Sequence, residues 1–228
     1  MSSGKRITVL LAEDHMIVRE GLRKLLETER DIEVIGEAST GREAVAEARR
    51  LRPSVIVMDI AMPQLNGIEA TRQIRRILPD SKVLILSAHS DETYIEKLTS
   101  LGAMGYLVKQ TSAHLLAEAI HELYQGRMFF SPTIISKKRL KDAVRLDRKG
   151  KPKTTAGDLT SREMEVLQLI AEGEANKQIA SELSISIKTV EKHRDHLMQK
   201  LNIHDTASLT RYAIIEGIIE CNVPLKVV

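Results

Sequence analysis

Five short apolar runs alternate with helix-length amphipathic stretches through the first half of this chain, and nothing else in the sequence restricts the fold as much. The runs fall at residues 7–11, 32–35, 55–58, 83–86 and 106–108. After each, apolar residues recur every three or four positions. The sets are Val18, Leu22, Leu25 and Leu26; Ala44, Val45, Ala48 and Leu51; Ile68, Ile74, Ile77 and Leu78; Ile95, Leu98 and Leu101; and Leu115, Leu116, Ala119, Ile120 and Leu123. An unbroken aliphatic run suits a strand buried on both faces, and the 3.6-residue period suits a helix laid against it. Five such βα units predict a parallel sheet covered by helices on both faces. Gly36, Gly41, Pro53, Pro63, Gly67, Pro79 and Gly102 fall between the elements, where turns are needed.

Length and composition narrow the setting. At 228 residues and 43% apolar content, the chain is globular and long enough for two cores. The single cysteine, Cys221, excludes an internal disulfide and suits a reducing compartment. No apolar stretch approaches a membrane span, and residues 1–5 lack the apolar core of a signal peptide, so a cytoplasmic protein without membrane contact is expected. Beyond residue 130 the pattern changes. Ser131-Pro132 reads as the cap and first position of a basic helical segment to about residue 146, and 147–157 reads as a charged, flexible tether. Four helical patterns follow at 161–172, 176–183, 186–201 and 205–216, separated by Gly173, Ser184 and Asn202. The expected organisation is therefore an α/β domain over 1–130, a linker over 131–157 and an all-α domain over 158–228.

Three of the five runs end on reactive side chains. The first leads into Glu13-Asp14, the third into Asp59 and the fifth into Lys109. In an open parallel sheet, ligands bind beyond the carboxyl ends of the strands where strand order reverses, and strands one and three flank that point. Asp14 and Asp59 should then lie close together, and like charges so placed repel unless a cation intervenes. Magnesium takes a few carboxylates and keeps waters or phosphate oxygens elsewhere. Asp59 could attack phosphorus as an ionised nucleophile without a general base, while Lys109 and the metal neutralise the equatorial oxygens. Ser87, ending the fourth run, can donate its hydroxyl to the same oxygens, and Ala88 beside it leaves a way in. A capping role for Asp14 and solvated strand-end roles for Asp59 and Lys109 are the plain alternatives. Singly they compete well; jointly they require four accidents at four strand ends. A nucleotide or flavin site would need a glycine- or serine-rich loop where Glu13-Asp14 stands.

At these residues the chain resembles the receiver domains of two-component response regulators over about residues 5–125. The likeness is carried by Glu13-Asp14, by Asp59 followed by Met62-Pro63 and Gly67, and by Ser87-Ala88, Tyr106 and Lys109. It implies a doubly wound, flavodoxin-like, five-stranded sheet in the order 2-1-3-4-5. It implies that Asp59 accepts phosphate from the phosphohistidine of a sensor histidine kinase. Asp14, Asp59 and the backbone carbonyl of Ala61 would bind Mg2+, with Glu13 acting largely through water. Ser87 and Tyr106 would form a switch pair, the phosphate drawing in the Ser87 hydroxyl and the Tyr106 ring filling the space it leaves. Gln110 follows Lys109 where many receivers carry proline, so no cis peptide is expected there.

The second half carries a helix-turn-helix pattern. In its third helix Val190, Leu197 and Leu201 share one side, with His193 or Arg194 at the margin, and Lys188, Lys192, Asp195 and Gln199 lie opposite. Residues 158–228 hold 8 basic and 11 acidic residues, so a nucleic-acid reading must rest on where the cations sit. Lys188 and Lys192 can donate to guanine edges, and Thr189 can reach a thymine methyl or a phosphate. Lys177, Arg194 and Lys200 are placed for phosphates, with His193 beside them. The competing reading is a protein-interaction module with a solvated charged face, favoured by the interspersed Glu182, Glu191 and Asp195. His193 and His196 lack further ligands at metal spacing.

Residues 159–203 resemble LuxR-type helix-turn-helix domains, and the whole chain resembles NarL/FixJ-type response regulators. That likeness implies a third helix entering the major groove and a fourth, with Leu209, Ala213 and Ile214 apolar, pairing across a DNA-bound dimer. The expected protein is a two-component transcription factor that dimerises when phosphorylated and binds double-stranded promoter DNA, with RNA polymerase as a further partner. It turns over no diffusible substrate beyond slow loss of its own phosphate. The alternatives are a phosphorelay or adaptor protein whose helical domain binds protein, and a receiver that acts as a constitutive dimer without phosphorylation.

Overall fold

A computed structural model describes residues 6–87, 102–109, 113–131 and 159–219. The chain divides into two compact units, with the boundary between Pro152 and Lys153.

The first unit is built on β1 (Ile7–Ala12), β2 (Ile32–Ala38), β3 (Val55–Asp59), β4 (Lys82–Ser87), β5 (Gly105–Val108) and β6 (Phe129–Phe130). All pairings are parallel, and the order is β2-β1-β3-β4-β5-β6. The expected 2-1-3-4-5 arrangement is present, but the sheet has six strands, not five. β6 is two residues long, too short to show alternation in sequence, and forms because Phe129 and Phe130 lie against Gly105 and Tyr106. Ser131 extends this pairing. Its N–H donates to the Tyr106 carbonyl at 2.9 Å and its hydroxyl accepts from the Val108 N–H at 3.2 Å. The residue read as a helix cap thus completes the sheet edge, and the helix it was to open lies outside the described residues, as do the 95–101 helical pattern, Ala88, Gln110 and the tether.

Among the described residues, this unit has four helices: α1 (Met16–Leu26), α2 (Gly41–Leu51), α3 (Gly67–Ile77) and α4 (Ala113–Tyr124). Strand side chains alternate between faces. Leu10, Ile56, Met58, Val83 and Ile85 pack with Ala44, Ala48 and Ile74 of α2 and α3. Val9, Leu11, Val55, Val57 and Leu84 pack with Leu26, Leu116 and Ile120 of α1 and α4. With helices on both faces, the central strands are buried along nearly their whole length, which is why they read as unbroken apolar runs. Asn66 caps α3 by accepting from the Glu69 N–H at 2.9 Å. Gly67 follows because a Cβ there would stand 1.9 Å from the Asp59 carbonyl oxygen. The first turn of α3 is thereby pressed against the end of β3.

The second unit comprises α5 (Ser161–Ala171), α6 (Asn176–Glu182), α7 (Ile187–Leu201) and α8 (Thr206–Ile215). Each boundary has a local cause. Thr160 and Glu163 form a reciprocal capping box, and Ser186 and Asp205 cap α7 and α8. Gly173, Ser184 and Asn202 all adopt positive φ, at 94°, 52° and 53°, a conformation that ends a helix. Val166, Leu167, Ile179, Val190, Leu197, Leu209 and Ala213 close the core.

Candidate functional site

β1 and β3 are neighbours, and their carboxyl ends bring the acids together. Glu13 continues from β1, its N–H held by the Ala38 carbonyl at 3.0 Å, and Asp59 is the last residue of β3. Lys109 follows β5, and its N–H donates to the Ser87 carbonyl at 2.7 Å, which keeps it on the sheet ladder. Its ammonium reaches back to Glu13 Oε2 at 2.8 Å and to Asp59 Oδ2 at 2.9 Å. Glu13 and Asp59 are buried, Asp14 is partly exposed, and Asp59 Oδ1 accepts from the Ile60 N–H at 2.8 Å. Ser87 closes β4 and Tyr106 lies in β5 opposite Ile85; both are buried. Ala61 sits half-buried two residues after Asp59.

The charges do not balance. Burial pushes the Asp59 carboxyl up, Lys109 pulls it back and Asp14 adds repulsion, leaving it above its ordinary value. Burial and repulsion from Asp59 likewise raise Glu13 against the pull of Lys109. Burial opposes the Lys109 ammonium, but Asp59 and Glu13 outweigh it and raise its pKa. Three carboxylates therefore face one lysine, and the site is short of positive charge. One oxygen each from Glu13, Asp14 and Asp59, with a nitrogen of His15, all lie within 4.8 Å of one another. Glu13 Oε2 and Asp59 Oδ2 are buried and take no aligned hydrogen bond, touching Lys109 only as charge contacts. Two under-satisfied buried oxygens beside a third carboxylate fit a small, oxygen-seeking divalent cation.

An acid whose pKa is higher folded than unfolded binds more protons in the folded state, so its ionisation lowers stability as pH rises from the unfolded value through the folded one. Asp59→Asn is therefore expected to raise the melting temperature of the metal-free protein at pH 7. The gain should narrow as pH falls toward about 4, where carboxylates protonate in both states. Calorimetry across that range checks it, and a variant melting at or below the parent at pH 7 overturns it.

His15 was not anticipated as part of this site. Its Nδ1 lies 2.9 Å from Asp14 Oδ1 and 3.2 Å from Glu13 Oε1, and the Asp14 carboxylate chiefly raises its pKa. The only sequence signal was its place beside the acidic pair. His15, not Asp14, occupies the cap position of α1, and no side-chain cap bond forms there. Asp14 is left for the site.

In the second unit, α7 presents Lys188, Glu191, Lys192, Asp195, His196 and Gln199 to solvent and buries Val190 and Leu197. Thr189 is half-buried and its hydroxyl shares a 2.8 Å bond with Ser186. Lys177 is exposed near the start of α6. The other cations are occupied. Arg194 Nη2 donates to Thr206 Oγ1 at 2.6 Å, tying α7 to α8, and Lys200 Nζ meets Glu163 Oε2 at 2.6 Å. His193 is half-buried, and burial and the Arg162 cation lower its pKa.

Two family models match the chain: a response regulator receiver domain over residues 9–121, and the LuxR family of bacterial regulatory proteins over 158–213. The response regulator protein VraR of Staphylococcus aureus is 38% identical over 214 residues, 94% of this chain and 99% of VraR. The chain belongs to the LuxR-family response regulators. Among solved structures, RcsB bound to DNA is 28% identical, with a TM-score of 0.55, covering 91% of this chain and 98% of RcsB. A structure of two RcsB dimers bound to two parallel DNAs matches at 27% identity and TM-score 0.54, over 91% of this chain and 98% of RcsB.

As a LuxR-family response regulator the chain carries a DNA-binding helix-turn-helix domain, and within that domain two expectations change. Leu209 and Ala213, read as apolar pairing residues of the last helix, face the domain's own core at 0% exposure. The outer stripe of α8 is Ala207, Arg211 and Ile215, and Ile215 is 71% exposed. Lys200, read as a phosphate contact, neutralises a buried glutamate. Burial opposes ionisation of Glu163, but Lys200 and the Thr160 N–H outweigh it and hold its carboxyl below the ordinary value. Lys200→Ala is accordingly expected to cost about 0.5–1 kcal/mol of stability, because Lys200 is 37% exposed and Glu163 keeps the Thr160 N–H. Urea unfolding checks this; an unchanged midpoint with weakened DNA binding would return Lys200 to the interface. Among the described residues, no helix is long and apolar enough to cross a membrane.

Proposed function

We propose that this response regulator is a phosphorylation-controlled transcription factor whose phosphoacceptor is Asp59. The observation that carries the reading is the buried Glu13–Asp59–Lys109 cluster at one sheet edge, with Asp14 beside it. An Asp59 carboxylate oxygen forms a bond to the phosphorus of a kinase phosphohistidine as the P–N bond breaks. The imidazole departs with the electron pair and takes up a proton. Lys109 stabilises charge on the phosphoryl oxygens, and the buried Ser87 hydroxyl donates to one of them. Asp14, Asp59 and the Ala61 carbonyl, with Glu13 nearby, would hold magnesium, which when bound would supply the remaining charge neutralisation. The carboxylate is already a nucleophile when ionised, so no general base is required and no diffusible substrate is turned over; the acyl phosphate is lost only slowly.

Recruitment of the Ser87 hydroxyl repacks the space beside Tyr106, and this drives the receiver toward a dimer. Two helix-turn-helix domains then meet two half-sites on promoter DNA, and binding of the first raises the effective concentration of the second. The exposed Ala207–Arg211–Ile215 stripe of α8 supplies a surface for pairing on DNA, as RcsB binds DNA in dimers. A sensor histidine kinase, promoter DNA and RNA polymerase are the partners of this reading, and the cytoplasm is its setting.

The test is a gel shift on random genomic fragments, with and without acetyl phosphate and magnesium. An affinity gain of about 100-fold or more on phosphorylation is expected, the lower end of what linking two sites provides. Equal affinity in both conditions favours a constitutive dimer, and no binding in either favours an adaptor; each result overturns the proposal.

A further inference from the structure

We infer that Arg19, clasped by Glu37, is a positioning residue for the acidic site: it fixes the backbone of the Glu13-Asp14 turn and so sets where the two carboxylates stand. The inference rests on the reading of that site as a magnesium-dependent phosphoacceptor.

Arg19 lies on α1, four residues beyond the cap, and its side chain is only 16% exposed. It does not run along the helix but turns back past its start. Nη1 donates to the Glu13 carbonyl at 2.6 Å and approaches the Asp14 carbonyl at 3.5 Å. Nε donates to Glu37 Oε2 at 3.1 Å. Glu37 is in β2, and the next residue, Ala38, holds the Glu13 N–H from the other side. Arg23, one turn further along α1, meets the second Glu37 oxygen, and its Nε donates to Glu27 at 3.0 Å. Burial opposes ionisation of Glu37, but Arg23 and Arg19 outweigh it and hold its carboxyl below the ordinary value.

The Glu13 peptide is therefore gripped at both ends, its N–H by β2 and its carbonyl by a guanidinium anchored to β2. That grip matters because the cap residue His15 makes no side-chain bond to the free N–H groups of α1, and its bonds to the Glu13 and Asp14 carboxylates hold side chains, not the backbone carbonyls that Arg19 holds. Two φ/ψ pairs separate a well-placed acidic pair from a misplaced one, and outer-shell groups that orient metal-binding carboxylates change metal affinity by about 10–100-fold.

The sign of the effect separates positioning from simple charge. Arg19 places a cation near a cation-binding site, so by electrostatics alone its removal should tighten magnesium binding. Positioning predicts the reverse. Magnesium affinity of the full-length chain is to be measured by isothermal titration calorimetry on the parent, Arg19→Ala, Arg19→Lys, Glu37→Ala and the double alanine variant, with melting temperatures recorded for each. Arg19→Ala is expected to weaken magnesium about 10-fold or more. Arg19→Lys, which can still reach one carbonyl, should recover part of the loss, and the double variant should be no worse than Arg19→Ala, because the two groups act as one unit. In labelling with acetyl phosphate, the defect should lie in the magnesium concentration needed and vanish at saturation. A tightened or unchanged affinity in Arg19→Ala overturns the inference, as does a defect that persists at saturating magnesium. Failure of the parent chain to bind magnesium or take label would instead overturn the phosphoacceptor reading on which it rests.

Discussion

Asp59→Asn is expected to take up no phosphate from a small phosphodonor in magnesium, with labelling at background. The change is nearly isosteric, so the effect is chemical. A carboxylate oxygen is lost as nucleophile, and the amide that replaces it is a poor one at any pH. The neighbouring acids do not substitute. Glu13 is buried with its charge committed to Lys109 at 2.8 Å, and Asp14 is paired with His15 at 2.9 Å. The same variant is expected to melt higher than the parent without metal, because the charge removed is one that burial disfavours. Loss of label together with a gain in stability is hard to obtain by damage to the fold. Equal labelling of parent and variant, with the phosphate mapped elsewhere, would refute Asp59 as acceptor.

Lys188→Ala and Lys192→Ala are each expected to relax sequence preference on DNA. Both side chains are exposed, one turn apart, on the face of α7 that lies opposite the buried Val190 and Leu197. Removing a side chain that reads a base in the major groove costs about 1–3 kcal/mol at its own position and little elsewhere. Selection of bound sequences should therefore show one or two positions losing information in each variant, with discrimination retained at the rest. Lys177→Ala serves as the comparison: Lys177 is exposed at the start of α6, and loss of a cation that touches only phosphate should lower affinity for all sequences alike and reduce the salt dependence by about one unit. If all three variants gave the same uniform loss, the lysines of α7 would touch the DNA backbone only, and sequence would be read by other residues. Glu191 and Asp195 share this face. They lower the general attraction for phosphate, which favours a reader whose preference depends on base contacts over one held by charge alone.

Much of this was legible from residue order. Strand-end positions could be read because three of the five buried runs stop where a charged side chain begins and a fourth ends on Ser87, and the helix ends could be read because Thr160, Ser186 and Asp205 are capping residues followed by helical periodicity. What could not be read follows a common cause. β6 has two residues and exists only because β5 offers an open edge. Lys200 looks like any basic residue at a helix end until α5 is packed across it. Leu209 and Ala213 are apolar in either setting, and only the packed bundle shows that their own core takes them.

By itself the sequence determined the kind of chemistry and the kind of architecture: alternating βα units, acids and a lysine at strand ends, and a capped helical unit with lysines along one helix. These depend on periodicity and local capping, which act over a few residues. Only the tertiary structure decided which charges meet. Lys109 reaches Glu13 across 96 positions of chain, and Lys200 reaches Glu163 across 37. Such pairings depend on strand order and helix packing, because a charge has no directional preference of its own and pairs with whatever the buried apolar faces bring within reach.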